Sequence, residues 1–405
     1  MDWSEMNWLQ YREALVGVHL PAALVNLNAF QKNAETISSL VRPSGKTLRI
    51  ASKSLRCPHL LRLAIDQAPD LIKGVMSFSC AEAEFLAGLG FDDLLVAYPS
   101  VQPADLDCLV RLTKKKKTIA VVIDCREHLD ALSQAGRVAK VVLRACLDVD
   151  ASYRPAHGHL HVGVRRSPVR DEQTALDLAR YARQLGGVRI AGVMMYEAQI
   201  AGLPDANPFS PAMNPLRRLI KSLAKPEVKD LRRRIVAALT GEGVALDFVN
   251  GGGTGSLDWT PHDSSVTEVT AGSGFLCSHL FSYFRGVQLT PAAFFALQVV
   301  RASDKGFITC HGGGYIASGE ASADKLPVPY LPSGLSLIGL EGAGEVQTPL
   351  AIGPGAPSIR LGDPILFRHA KAGELAERFN EYHLIHDGKL IGREPTYRGL
   401  GHCFL

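Results

Sequence analysis

No apolar run in this 405-residue chain is long enough to cross a bilayer, since a spanning helix needs about 20 consecutive apolar residues. The opening MDWSEMNWLQ carries acids and lacks a basic stretch followed by an apolar one, so no secretory leader is expected there. The eight cysteines are scattered, with no CxxC pair. They read as reduced thiols, not a disulfide framework, and a cytoplasmic location is the expectation. A large excess of either charge is also missing: 44 Lys and Arg stand against 40 Asp and Glu, a net +4. Neither a nucleic-acid partner nor a membrane is expected, whereas a small anionic ligand is compatible. The densest basic run, residues 114–117, reads as a solvated helix end, where cations suit the helix dipole. No solenoid-type repeat is present.

What is present is an alternation. Strand-like runs fall at residues 48–52, 74–79, 94–98, 119–124, 141–149, 188–197, 246–250 and 265–270. Helix-like stretches at 58–67, 81–89, 104–113, 126–135 and 171–185 lie between several of them. Strands alternating with helices predict a parallel sheet. Eight of them fit a closed (β/α)₈ barrel of TIM type, with an open doubly wound sheet as the alternative. Two longer connections, 151–169 and 198–215, follow strand ends and are expected over the active face. After about residue 283 helical periodicity fades into short strand-like runs such as 296–300 and 365–367. A hairpin-like turn follows at Asp387-Gly388. The expected division is a barrel over 22–283 and a mostly β domain over 284–405, joined by the segment 1–21.

The clearest chemical motif is Asn250-Gly251-Gly252-Gly253-Thr254-Gly255-Ser256, directly after the seventh predicted strand. Glycines let backbone N–H groups approach an anion, and Thr and Ser add hydroxyl donors. A second small-residue loop, Ala271-Gly272-Ser273-Gly274, follows the eighth. Barrels often hold phosphate with the loops after strands seven and eight, so the two loops together predict a phosphate site. Neither is a Walker A motif nor a GxGxxG that opens a long βαβ helix.

Lys53 ends the first predicted strand, in Arg49-Ile50-Ala51-Ser52-Lys53-Ser54-Leu55-Arg56. That position points to the barrel mouth. Arg49 and Arg56 beside it are expected to favour the neutral amine that a Schiff base needs.

These segments resemble the fold-type III enzymes that use pyridoxal 5′-phosphate (PLP), with their alanine-racemase-like barrel and C-terminal β domain. The D-threonine aldolase and D-serine dehydratase branch fits best. Residues 49–56 match in spacing its Arg-Pro-His-x-Lys-Thr-His-Lys segment, and Lys53 falls on the lysine that holds the cofactor. Ser79-Cys80-Ala81-Glu82-Ala83-Glu84, Met194-Met195-Tyr196-Glu197, Val249 to Ser256 and Thr267-Glu268-Val269-Thr270-Ala271-Gly272-Ser273 resemble further segments of the branch in order. Phe367 to Gly399 resembles its closing segment. The resemblance implies PLP contacts from Lys53, Tyr196, Gly252, Gly253, Thr254, Gly272, Ser273 and Gly274. Arg166 or its neighbour Arg165 would position the cofactor, and a homodimer is implied.

Two departures stand out. The branch usually holds a divalent metal through a His-x-Cys or His-x-Asp pair; here the stretch is Arg368-His369-Ala370-Lys371. A protonated lysine repels a cation, so no metal is expected at that site. Lys371 is expected to take over part of the metal's electrostatic task. The branch also often carries Tyr-x-Gly-His where this chain has Tyr196-Glu197-Ala198-Gln199, which leaves His369 as the candidate base. The implied activity is a lyase on a small D-amino acid, either an aldolase on a β-hydroxy amino acid or a dehydratase/deaminase. Alternatives are an amino acid racemase and a non-enzymatic PLP-homeostasis protein. His157, His159 and His161 alternate but lack an acidic or Cys partner nearby and read as a polar loop. His311-Gly312-Gly313-Gly314-Tyr315 reads as a turn, and His402-Cys403 is not expected to bind metal.

Overall fold

The computed structural model describes residues 2–155, 159–303 and 306–404. A first strand, β1 (Ala22–Asn26), precedes the barrel. The barrel is then built from β2 (Thr47–Ala51), β3 (Ile72–Ser77), β4 (Leu94–Val96) and β5 (Ile119–Ile123). It continues with β6 (Leu143–Asp148), β7 (Val188–Met195), β8 (Phe248–Gly251) and β9 (Glu268–Ala271). All eight run parallel and close on themselves, β9 pairing with β2. Each coincides with one of the eight runs expected from the sequence, so the barrel stands and the open sheet does not.

The helices follow their signals. Pro58–Gln67 and Pro103–Lys114 begin on proline, whose missing N–H costs nothing in a first turn. Glu172–Leu185 is capped by Asp171, whose carboxylate accepts from Thr174 N. The basic run begins at the C-terminus of Pro103–Lys114, as expected. The 28-residue helix Asn214–Gly241, which includes Pro226, had no counterpart among the expected helices.

The second sheet comprises β1, β10 (Ala293–Ser303), β11 (Phe307–His311), β12 (Val328–Leu331), β13 (Leu335–Leu337), β14 (Gln347–Ile352), β15 (Pro364–Arg368), β16 (Glu381–His386) and β17 (Lys389–Pro395). Its main path runs β13-β14-β11-β10-β1-β16-β17, with β15 and β12 attached beside β10. β1 sits between β10 and β16, antiparallel to the first and parallel to the second. The chain therefore starts in the second sheet, enters the barrel and returns. The β16–β17 hairpin turns at Asp387 and Gly388, both with positive φ (49° and 74°), as a two-residue hairpin requires. The helix Trp8–Ala14 covers this sheet, its Trp8 and Tyr11 buried with Leu24, Phe294 and Leu366.

Inside the barrel, Leu95, Ala120, Val122, Cys146, Met194 and Phe248 form the packed interior. At the end where the strands begin, Arg49 is 1% exposed and bonds Glu268 (2.7 and 2.8 Å) and Asp93 (2.9 Å). The other end is the mouth.

Candidate active site

Lys53 lies in a single 3₁₀ turn, Ser52–Ser54, directly after β2. Ser52 fixes the turn: its carbonyl accepts from Leu55 N and Arg56 N (2.9 Å each), and its hydroxyl donates to Met76 O (2.9 Å). Arg56 donates from Nε to the Lys53 carbonyl (3.1 Å) and from Nη1 to Glu377 of the second domain. Gly373, also of the second domain, packs so closely that a Cβ there would sit 1.8 Å from the Lys53 carbonyl oxygen. The lysine turn is thus clamped between barrel and β domain.

Behind it lies Glu82, fully buried at the start of the helix Cys80–Gly88. Its carboxylate accepts from Phe78 N (2.7 Å) and the Tyr397 hydroxyl (2.9 Å). Burial pushes its carboxyl up to about 7. Tyr397 also donates its backbone N–H to Arg56 O (2.9 Å), tying the chain's last segment to the lysine turn.

The two Gly-rich loops meet this turn. A Cβ on Gly272 would lie 2.7 Å from Ser54 Oγ and 2.8 Å from Ala51 O. Only glycine lets the loop after β9 approach so closely. Ser54 Oγ and Ser273 Oγ lie 3.2 Å apart, and Gly274 N donates to Thr254 Oγ1 (3.0 Å), which joins the loops after β8 and β9. Gly252 has φ of 86° and donates its N–H to Glu197 (3.0 Å). The next N–H, of Gly253, donates to Ser256 Oγ (3.2 Å), so both donors are committed to the protein. Glu197 is fully buried, pairs with Arg232 (3.1 Å) and accepts from the Thr260 hydroxyl; Arg232 also pairs with Asp263. This ionic framework under the glycine loop was not recognised as functional from the sequence. Its parts are 35 and 66 positions apart from Glu197 to Arg232 and to Asp263, and each alone reads as an ordinary charge.

Tyr196 follows β7. Its ring crowds Gly253, where a Cβ would lie 3.0 Å from Ala201 Cβ and 3.2 Å from Tyr196 Cε2, and burial pushes its hydroxyl up to about 12. The Arg166 guanidinium lies over Tyr196 (5.1 Å) and Tyr98 (5.8 Å), both within cation–π range. Lys53, Ser54, Arg166, Tyr196, Gly252, Gly253, Thr254, Gly272 and Ser273 line one cleft together with Met76, Phe78, Met194 and Phe281. Arg166 lines it and Arg165 does not. Gly274 stands just behind, holding Thr254.

Other expected residues lie elsewhere. Arg49 is at the far end of the barrel in its ion pairs, and the charge of Arg56 is engaged by Glu377. The expectation that these two arginines act on the Lys53 amine is therefore replaced by a backbone role for Arg56. His369 is 3% exposed, outside the cleft wall, and neither ring nitrogen has a hydrogen-bond partner among the described residues. Burial, with His279 and Arg368 nearby, pushes it down to about 3, so the ring is neutral. Lys371 also lies outside the wall; its ammonium donates to Ser318 O (2.7 Å) and Oγ (3.3 Å). A cation held between His369 and Lys371 does not fit this donor set, since the ammonium has no lone pair to give. Gln199 is buried and bonds Ala151 O, outside the wall.

His157 lies outside the described residues; His159 and His161 join no three-donor cluster among the described residues. His311 ends β11, and Gly312 and Gly313 form a turn with φ of 82° and 120°, tied by Thr348 Oγ1 to Gly312 O (2.6 Å). His402 stacks on Phe404 and Phe85.

A closed parallel barrel whose lysine turn meets two glycine loops, with a β domain clamped on that turn, defines the alanine racemase type of architecture. The chain belongs to that family: residues 25–253 match the model described as alanine racemase, N-terminal domain. Among curated proteins it is similar to a D-threonine aldolase of Arthrobacter sp, 26% identical over 261 residues. That match covers 64% of this chain and 62% of the relative's length. Among solved structures it resembles the D-threonine aldolase from Filomicrobium marinum (TM-score 0.79, 20% identity, 94% and 96% of the two chains). It also resembles the D-threo-3-hydroxyaspartate dehydratase from Delftia sp. HT23 (TM-score 0.76, 18% identity, 95% and 98%).

Proposed function

We propose that this chain is a PLP-dependent lyase acting on a small D-amino acid with a β-hydroxyl, as an aldolase or a dehydratase/deaminase. The observation that carries this reading is the meeting of Lys53, the two glycine loops and the Arg166–Tyr196 pair in one cleft. These residues fit the cofactor. Lys53 Nζ would hold its carbonyl carbon, and Ser54, Thr254 and Ser273 offer hydroxyls to its phosphate from the lining of the same cleft. When bound, PLP supplies an electron sink for the bond broken at the substrate Cα.

The protein's own tasks are then distinct. The Ser52 turn and the Arg56–Glu377 bridge aim Lys53 at the cleft, and Lys53 Nζ is the group that takes or returns a proton at Cα. Arg166, held by two tyrosine rings, orients an anionic oxygen. Met76, Phe78, Met194 and Phe281 keep water from the reacting carbon. In this proposal His369 and Lys371 stay outside the cleft wall, the Lys371 ammonium held by Ser318, and no divalent metal is held between the two. The names of the relatives favour a lyase over a racemase. The clamp of the β domain on Lys53 counts against a barrel-only homeostasis protein. A homodimer and a cytoplasmic location complete the proposal.

The test is colour and chemistry. Purified protein should show a visible absorption band that borohydride bleaches, and Lys53→Ala should abolish both the band and the trapping. Turnover should fall about 10³-fold or more in that variant, the scale of a lost acid–base group. D-threonine, D-serine and their β-hydroxy analogues should be assayed separately for aldehyde, ammonia and optical rotation. A colourless protein that takes up no added PLP would overturn the proposal; change of optical rotation without aldehyde or ammonia would replace it with racemisation.

A further inference from the structure

Around the same mouth, three strands from Lys53, lies a group of donors that the cleft does not use. Asp124 directly follows β5, Cys125 is the N-cap of the helix Arg126–Ala139, and His128 lies in that helix's first turn. The carboxylate, thiol and imidazole donor atoms all lie within 4.8 Å of one another, and Asp124 Oδ1 is 3.1 Å from His128 Nδ1. Among the described residues no other three His, Cys, Asp or Glu side chains gather in this way. All three are partly sheltered: the Asp124 and His128 side chains are 17% and 19% exposed.

A second feature points to the same place. β5 and β6 are paired with Ile123 opposite Leu147, so the next residues, Asp124 and Asp148, are neighbours across the strands. Val122 and Cys146, two residues back, both lie in the barrel interior. The period-two alternation of strands puts Asp124 and Asp148 on that inner side as well. Asp148 is 7% exposed, and its carboxylate has no hydrogen bond or ion pair among the described residues. A buried carboxylate without a partner is costly. Burial pushes Asp148 up to about 7, with the Asp124 charge adding to the rise and Arg166 opposing it. Asp150, by contrast, is fully engaged by Arg154 and Arg170. The β5–β6 rim therefore places two carboxylates near each other with no lysine or arginine ion-paired to either among the described residues.

We propose that Asp124, Cys125 and His128 form a site for a divalent cation of the zinc class, with Asp148 as the neighbouring negative charge. Two donors at about 2.0 Å from a tetrahedral ion stand a little over 3 Å apart, close to the 3.1 Å already present between Asp124 and His128. Mixed thiolate, imidazole and carboxylate donors select zinc over magnesium or calcium. Three protein ligands leave a coordination position for water. Binding requires the Cys125 thiol to lose its proton, so affinity rises with pH. The site is independent of Lys53 and of the His369–Lys371 pair.

The experiment is zinc titration of chelator-treated holoprotein by calorimetry, with metal analysis of the same samples. One equivalent is expected. Cys125→Ser keeps an N-cap side chain, and His128→Ala keeps the helix; each should weaken zinc by about tenfold or more. His369→Ala, Cys403→Ser and Lys53→Ala should leave it unchanged. Cobalt(II) should give a thiolate charge-transfer band in Lys53→Ala protein, free of cofactor colour, that disappears on adding Cys125→Ser. Circular dichroism checks that each variant is folded. Absence of stoichiometric zinc, binding that survives in both Cys125→Ser and His128→Ala, or loss on His369→Ala would overturn the proposal. Because Lys53→Ala is expected to bind zinc normally, failure here is distinguishable from failure of the PLP reading.

Discussion

The two ends of the barrel treat charge in opposite ways. Where the strands begin, every prominent arginine is matched: Arg49 with Glu268 and Asp93, Arg144 and Arg189 with Asp247. At the mouth, Lys53 and Arg166 form no ion pair among the described residues, and Asp148 feels the Arg166 charge without forming an ion pair with it. Paired charges have already met the ligand that folding provides. Unpaired ones are kept for ligands that arrive later, and holding them apart costs stability that the rest of the fold supplies. In the proposed reading this contrast marks the mouth as the chemical end of the molecule.

Breaking a pair at the closed end should damage the fold more than the function. Arg49→Ala leaves Glu268 buried without its cation and should cost about 3–5 kcal/mol of stability in denaturant melts. The protein that remains folded should keep its visible band. If Arg49→Ala instead loses the band at unchanged stability, the contrast between the ends fails.

The reverse is expected at the mouth. Arg166→Ala should lower kcat/KM about 10²-fold, or about 2.7 kcal/mol, with little change in melting temperature, since the guanidinium pairs with no carboxylate. A large drop in stability with unchanged kinetics would assign Arg166 to structure.

The smallest effect sharpens the comparison at a group that belongs to neither class. Glu82 is buried behind the lysine turn with its carboxyl at about 7, above the ordinary 4.5. The folded state holds that proton more tightly than the unfolded chain does. Its contribution to stability is fully present below about 4.5 and is lost as pH rises through 7. Glu82→Gln should flatten this decline by on the order of 2 kcal/mol between pH 5 and 8. Equal pH slopes for both proteins would show that Glu82 is ionised throughout.

Much of the site was legible in the chain because its signals are local. A glycine loop directly after a strand means close backbone approach whatever surrounds it, and eight apolar runs with helices between several of them admit few closed arrangements. The placement of Lys53, Thr254 and Ser273 around one cleft follows from such local signals. Other assignments depended on direction. Arg49 is four residues from Lys53 in sequence, yet a strand of that length carries it to the opposite end of the barrel. Gln199 and His369 were judged by their place beside motifs, and packing turned both away from the cleft wall. Glu197 and Arg232 could be joined only once β7 and the helix Asn214–Gly241 had been brought together.

The sequence by itself determined the barrel, the β-rich second domain and the two glycine loops that meet a lysine turn, because each is written in residues adjacent along the chain. Tertiary structure alone decided that β1 belongs to the second sheet, that Gly373 and Tyr397 clamp the lysine turn, and that Gly252 gives its N–H to Glu197. It also decided that Asp124 and Asp148 stand side by side. All of these are meetings of residues far apart in the chain, and which of them occur is settled by packing and register, which local pattern does not encode.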